Sequence, residues 1–203
     1  MNQQETQRIA YPRISDIVDR QNAHELRSIP LEVLANACIR GTKVHDYCTS
    51  YVRGLWLPEI EEEYQPYVDA FKEWADKNIH GVIHSNIRLY DDVKRFSGEF
   101  DMIVVLKDSK EPALIDLKTS CTVSKTWPVK LAAYKHLCEL NGYKARSCFN
   151  LQLKKTTCKS NGSPSIIVKA KEIEYSDVEF KASWEIFSSA LKCYNYFVRK
   201  EVA

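Results

Sequence analysis

Two carboxylates and a lysine stand at the polar points of one apolar stretch between Gly98 and Lys118. Asp101 opens the aliphatic run Met102-Ile103-Val104-Val105-Leu106, and Asp116 and Lys118 close the run Ala113-Leu114-Ile115. Between the runs lies Lys107-Asp108-Ser109-Lys110-Glu111-Pro112, with the polar and Pro punctuation of a turn, so a β-hairpin is expected. Side chains alternate along a strand, which places Leu114, Asp116 and Lys118 on one face and Ile115 on the other. Buried carboxylates are rare unless they are paired or hold a metal. Such a set suits phosphodiester hydrolysis, which needs a nucleophilic water and charge neutralisation at the phosphate. A hard divalent cation, Mg²⁺ or Mn²⁺, supplies both and takes oxygen ligands. Asp101 and Asp116 would be its carboxylates, and Lys118 would stand beside the water. The plain alternative is a salt-bridged hairpin end.

Three flanking motifs add to this pattern. Gly98-Glu99-Phe100-Asp101 has the form GxxD; upstream lies Gly41-Thr42-Lys43-Val44-His45, and downstream Leu131-Ala132-Ala133-Tyr134. With Asp101, fourteen intervening residues and Asp116-Leu117-Lys118, the chain resembles the PD-(D/E)XK nuclease superfamily, in its RecB-like exonuclease branch of phage or bacterial type. The resemblance spans roughly Tyr11 to Leu140. It implies a restriction-endonuclease-like α/β core, a central mixed sheet with helices on both sides. It further implies that His45 and the Leu117 backbone carbonyl join Asp101 and Asp116 as metal ligands. Tyr134 would line the site from a helix, and DNA, single-stranded or at duplex ends, would be the substrate. Recombination or replication proteins would be partners.

The chain departs from the family at two points. Lys130 stands where the QxxxY helix carries Gln, and Asn86 is the best counterpart of a strand Glu that many relatives use at the metal. Asn86 would then face the metal, and Glu99, two residues before Asp101, could replace the missing carboxylate from the same strand face. Lys130 could meet a DNA phosphate as a point charge. Trp127 could stack on a base, and Arg88 could track the backbone. Core packing is the plain alternative for Trp127 and Tyr134, and a solvated strand edge for Arg88.

The elements that must position these residues follow from periodicity. A short helix is expected over Asp16–Arg20 or beyond, capped near Ser15. Another starts at Pro30, and Gly41 should break it before a helix carrying Val44, His45, Cys48, Tyr51, Val52 and Leu55. Glu61-Glu62-Glu63 precedes a helix with Tyr67, Ala70, Phe71 and Trp74. Strands are expected over Gly81–Leu89, Arg95–Leu106 and Pro112–Lys118, then a helix from Val129 to Asn141 stopped by Gly142. Strands near Ser147–Leu153 and Ser165–Ala170 follow. A last helix bears the stripe Trp184, Phe187, Leu191, Tyr194 and Val198.

At 203 residues the chain is expected to be one domain, residues 1–203, with 1–78 as its mainly helical part. A net charge of +2 neither announces nor excludes nucleic acid, because a basic cleft can hide in a balanced total. No run reaches the apolar length of a membrane span, and the N-terminal residues lack a signal-peptide core. Seven cysteines, an odd number without CxxC, point to reduced thiols in a cytoplasmic protein. No iron–sulfur cluster is expected, because Cys148, Cys158 and Cys193 are ten and thirty-five residues apart. A DNA exonuclease is the leading reading. A catalytically weak nuclease-fold module that binds nucleic acid or a partner protein, and an endonuclease on the same fold, stand beside it.

Overall fold

The computed structural model describes residues 11–160 and 163–198. Helices α1 (Ile14–Gln21), α2 (Ala23–Leu26), α3 (Leu31–Val52) and α4 (Gln65–Asn78) precede strands β1 (Ile79–Asp91), β2 (Phe96–Leu106) and β3 (Pro112–Lys118). Helix α5 (Thr126–Leu140) then crosses over to β4 (Ser147–Ser160), followed by β5 (Ser163–Glu174) and α6 (Asp177–Phe197). The five strands form one mixed sheet in the order β1-β2-β3-β4-β5, with β3 and β4 parallel and the other neighbours antiparallel. A parallel pair requires a crossover, and α5 provides it.

Both faces of the sheet are covered. On one, Leu114 and Ile103 pack with Ile14, Ile17 and Val18 of α1, Leu131 and Leu137 of α5, and Phe187 and Leu191 of α6. On the other, Ala113, Ile115 and Leu117 pack with Val44 and Cys48 of α3 and Val68, Phe71 and Trp74 of α4. The mixed α/β architecture with helices on both sides is therefore the one the sequence implies, and the alternation along β3 is as expected. Among the described residues no helix is long and apolar enough to cross a membrane.

Three local differences have physical reasons. Gly41 does not break α3, which runs unbroken through it. A mid-helix glycine costs only about 1 kcal/mol, and here it lies where an added Cβ would meet Thr119 Oγ1 at 3.9 Å. Strand β2 starts at Phe96, because Arg95 adopts a left-handed conformation (φ 58°) that ends the preceding turn. Helix α1 begins at Ile14, ahead of Ser15, with the Asp16 carboxylate accepting from the Arg13 backbone N–H at 3.1 Å.

Gly98 has a packing role. A Cβ there would lie 2.5 Å from Ile14 Cδ1, 2.9 Å from Leu137 Cδ1 and 3.0 Å from Tyr134 Cε1. Only a residue without a side chain lets α1 and α5 approach β2 this closely. Gly98→Ala should destabilise the protein by about 1–3 kcal/mol through overpacking. A denaturation midpoint equal to wild type would show that the helices can give way.

The β1–β2 turn is organised by Asp91, whose side chain is 1% exposed. It accepts from the N–H groups of Val93 (3.0 Å) and Lys94 (2.7 Å) and from His136 Nε2 (2.8 Å). Burial pushes its carboxyl up, but the Lys94 amide and His136 outweigh that and hold it below the ordinary 3.8. A depressed carboxyl contributes stability above its unfolded pKa and loses it as pH falls through the folded one. Wild-type stability should therefore drop below about pH 4 more steeply than that of Asp91→Asn, which keeps the shape without the titrating charge. Parallel stability–pH curves would show that Asp91 does not contribute in this way.

Candidate active site

The β2–β3 ladder ends at the pair Met102↔Ile115. Beyond it the strands part, and the Leu117 N–H donates to the Asp101 carboxylate at 2.6 Å. The other Asp101 oxygen lies 2.8 Å from His45 Nδ1, which α3 brings in from the side of Val44 and Cys48. One residue further along β3, Asp116 Oδ2 is 2.6 Å from Lys118 Nζ. His45, Asp101, Leu117, Asp116 and Lys118 thus meet at the point where the hairpin opens. Leu117 is tied to this group through its amide N–H.

The charges are strongly coupled. Burial would raise the Asp101 carboxyl, but His45, Lys118 and the Leu117 N–H keep it below the usual range. Asp116 moves the other way: burial, with the Asp101 charge, holds its carboxyl above 3.8 despite Lys118. Burial disfavours the Lys118 ammonium, yet Asp116 and Asp101 outweigh it and keep the amine above its ordinary 10.5. His45 is likewise raised, with Asp101 overcoming the cost of burial. Tyr134 is buried beside this cluster, and burial plus the charges of Asp116 and Asp101 push its phenol well above 10. It is a neutral hydroxyl at any physiological pH.

The flanking candidates fall differently. Lys130 Nζ is 2.7 Å from an Asp19 carboxylate oxygen, so it is paired within the protein and not held open for a phosphate. Trp127 is 5% exposed and presents no face on which a base could stack. Arg88 and Glu99 are exposed and pair with each other at 2.9 Å. The Glu99 carboxylate is thus engaged by Arg88 and not by the Asp101 group. Phe100 packs with the α1 and α5 layer while Met102 packs with the α3 and α4 layer, so the period of two shifts between them. Asn86 lies opposite Asp101 between the pairs Ser85↔Met102 and Ile87↔Phe100, with φ 51°. Its amide does not turn to the carboxylates: Nδ2 donates to Thr49 Oγ1 at 3.1 Å, and that hydroxyl donates to the His45 carbonyl at 2.8 Å.

The structure adds residues that the motifs did not mark. Asn150 on β4 is fully buried and donates to Asp116 Oδ2 at 2.6 Å. Tyr175 donates to Asn150 Oδ1 at 2.9 Å, and Gln152, also buried, donates to the Ser120 carbonyl at 2.7 Å. The available signal was two amides at alternate positions in the otherwise apolar run Phe149-Asn150-Leu151-Gln152-Leu153. Reading it required knowing that β4 runs parallel to β3 with Asn150 beside Asp116.

Asp101 and Asp116 offer oxygen donors of the type a hard divalent cation takes. Two buried carboxylates repel each other, and such cations accept one or two carboxylates while keeping several waters and substrate phosphate oxygens. Among the described residues no group of three or more His, Cys, Asp or Glu side chains is arranged to hold a metal ion. A cation here would therefore rest on few protein oxygens.

No family model matches the chain, and no curated protein matches its sequence. Among solved crystal structures, a protein from Eubacterium rectale with the provisional name of exonuclease is 13% identical, with a TM-score of 0.45 over 80% of this chain and 69% of that one. A second, the protein SSO0001, is 11% identical, with a TM-score of 0.41 over 93% of this chain and 76% of that one. Both scores are below 0.5, so the functional reading has to come from the site itself.

Proposed function

We propose that the protein is a metal-dependent deoxyribonuclease that hydrolyses phosphodiester bonds, working as an exonuclease on DNA ends. The observation that carries this reading is the convergence of Asp101, Asp116, Lys118 and His45 where β2 and β3 separate. Asp101, Asp116, His45 and the Leu117 carbonyl would hold Mg²⁺ or Mn²⁺, which when bound supplies an activated water and offsets phosphate charge. Lys118, held above its ordinary pKa, stays protonated near neutrality. Beside the bound cation it would orient the attacking water or take part in its activation, and it would offset phosphate charge. DNA as substrate and recombination or replication proteins as partners rest on the resemblance carried by the GxxD, DxK and Tyr motifs, and a cytoplasmic setting rests on the odd number of cysteines without CxxC.

Purified protein incubated with end-labelled single- and double-stranded DNA, in Mg²⁺, Mn²⁺ or EDTA, tests the reading. Mononucleotides should be released from linear but not circular DNA. Activity should vanish in EDTA and return with Mn²⁺ at least as well as with Mg²⁺. Full activity in EDTA overturns the mechanism, and nicking of circular DNA makes the enzyme an endonuclease. A second reading, a catalytically weak module that binds nucleic acid or a partner protein, is favoured by Asn86 and Lys130 in place of the Glu and Gln of the family and by the closed Lys118–Asp116 pair. DNA binding with no turnover in either metal would establish it.

A further inference from the structure

A fully buried amide in the middle of an apolar strand costs free energy unless its donors and acceptor are met. Asn150 meets them by reaching across to β3 and to Tyr175, just past the end of β5. Its Nδ2 donates to Asp116 Oδ2 at 2.6 Å and, at a longer 3.3 Å, to the Asp116 carbonyl. Its Oδ1 accepts from the Tyr175 hydroxyl at 2.9 Å, which fixes the amide with its NH₂ toward Asp116. The register sets Asn150 beside Asp116 and Gln152 beside Lys118. Gln152 in turn holds the Ser120 carbonyl just beyond the lysine. Two amides two residues apart thus grip β3 on either side of Lys118.

The grip is directional. Lys118 Nζ and Asn150 Nδ2 both approach Oδ2 of Asp116, each at 2.6 Å. Two donors on one oxygen fix the rotation of the carboxylate and leave Oδ1 as the oxygen free to serve a ligand. A carboxylate free to rotate would lose entropy on capturing a cation, whereas one already fixed loses little. We propose that Asn150 is a positioning residue, oriented by Tyr175, that holds Asp116 so that Oδ1 is presented to a divalent cation. It thereby sets the cation affinity of the protein before DNA arrives. The inference rests on the nuclease reading above and assigns the β4 amide a part in it.

The experiment measures Mn²⁺ binding to DNA-free protein, by the electron spin resonance signal of free Mn²⁺. It also measures kcat and KM on linear DNA at saturating Mn²⁺, with thermal melts as the folding control. Tyr175→Phe removes only the hydroxyl that orients Asn150, and Mn²⁺ affinity should fall about three- to tenfold, the worth of one neutral hydrogen bond. Asn150→Leu should lower it about 10- to 100-fold, the range for residues that support metal ligands. In both, kcat should fall while KM for DNA holds, a split that loss of packing alone would not produce. If Asn150→Leu fails to fold, Tyr175→Phe decides. A folded Tyr175→Phe with wild-type Mn²⁺ affinity and kcat overturns the inference alone, provided the wild type binds and cleaves. A wild type that neither binds Mn²⁺ nor cleaves DNA overturns the nuclease reading and this inference with it.

Discussion

Asp116→Asn and Lys118→Met should each lower turnover on DNA about a thousandfold, while the protein stays folded. The two residues face each other at 2.6 Å at the mouth of the opened hairpin, and the apolar core lies behind them. In Asp116→Asn the amide oxygen can still accept from Lys118 and Asn150, so the local hydrogen bonds survive and only the charge is lost. That charge is what a cation and the ammonium both need. Lys118→Met removes the donor that would orient the water. The buried carboxylate of Asp116 then has no cation beside it, and burial pushes it further toward its protonated, neutral form. That relief spares the fold most of the cost of an uncompensated buried ion. The measurement is single-turnover cleavage of end-labelled DNA in Mn²⁺, with thermal melts alongside. A folded Lys118→Met protein cutting near the wild-type rate would mean that the pair is a salt-bridged hairpin end and nothing more.

The readability of this chain depended on whether a feature is local. The hairpin, the α5 crossover helix and the α6 stripe were legible because each is set by periodicity within a short window. The stripe residues Phe187 and Leu191 are buried as the spacing required. The Asp101, Asp116, Lys118 and His45 set was legible as residue types in order, and the structure brings these four together. What failed were inferences about which way a side chain turns. Lys130 is satisfied by Asp19, on a helix more than a hundred positions earlier, and no local pattern shows that partner. Glu99 was assigned to the metal by a period of two, but its carboxylate is taken by Arg88 on the neighbouring strand. Asn150 lay hidden for the opposite reason: its role depends on a parallel register formed only after α5 has carried the chain across.

Asp101 should separate stability from catalysis in a way that Asp116 does not. Its two oxygens do different work: one accepts the Leu117 N–H at 2.6 Å, in place of a ladder bond where β2 and β3 part, and the other meets His45 at 2.8 Å. Asp101→Ala removes both acceptors, leaves a backbone N–H without its partner and breaks a largely buried pair. The expected cost is about 3–5 kcal/mol, a large fraction of the stability of a domain, together with complete loss of turnover. Asp101→Asn keeps an oxygen for Leu117 and can offer its NH₂ to the neutral imidazole. Its stability should stay within about 1 kcal/mol of wild type, because both contacts persist without charge. Turnover should still fall by at least about a hundredfold, since the site has lost one of its two carboxylates. Urea denaturation and single-turnover cleavage on the same three proteins make the comparison. If Asp101→Asn is as unstable as Asp101→Ala, the ionic pairing with His45 holds the hairpin open. If Asp101→Asn also keeps full turnover, Asp101 belongs to the scaffold, and the chemistry must be sought at Asp116 and Lys118 alone.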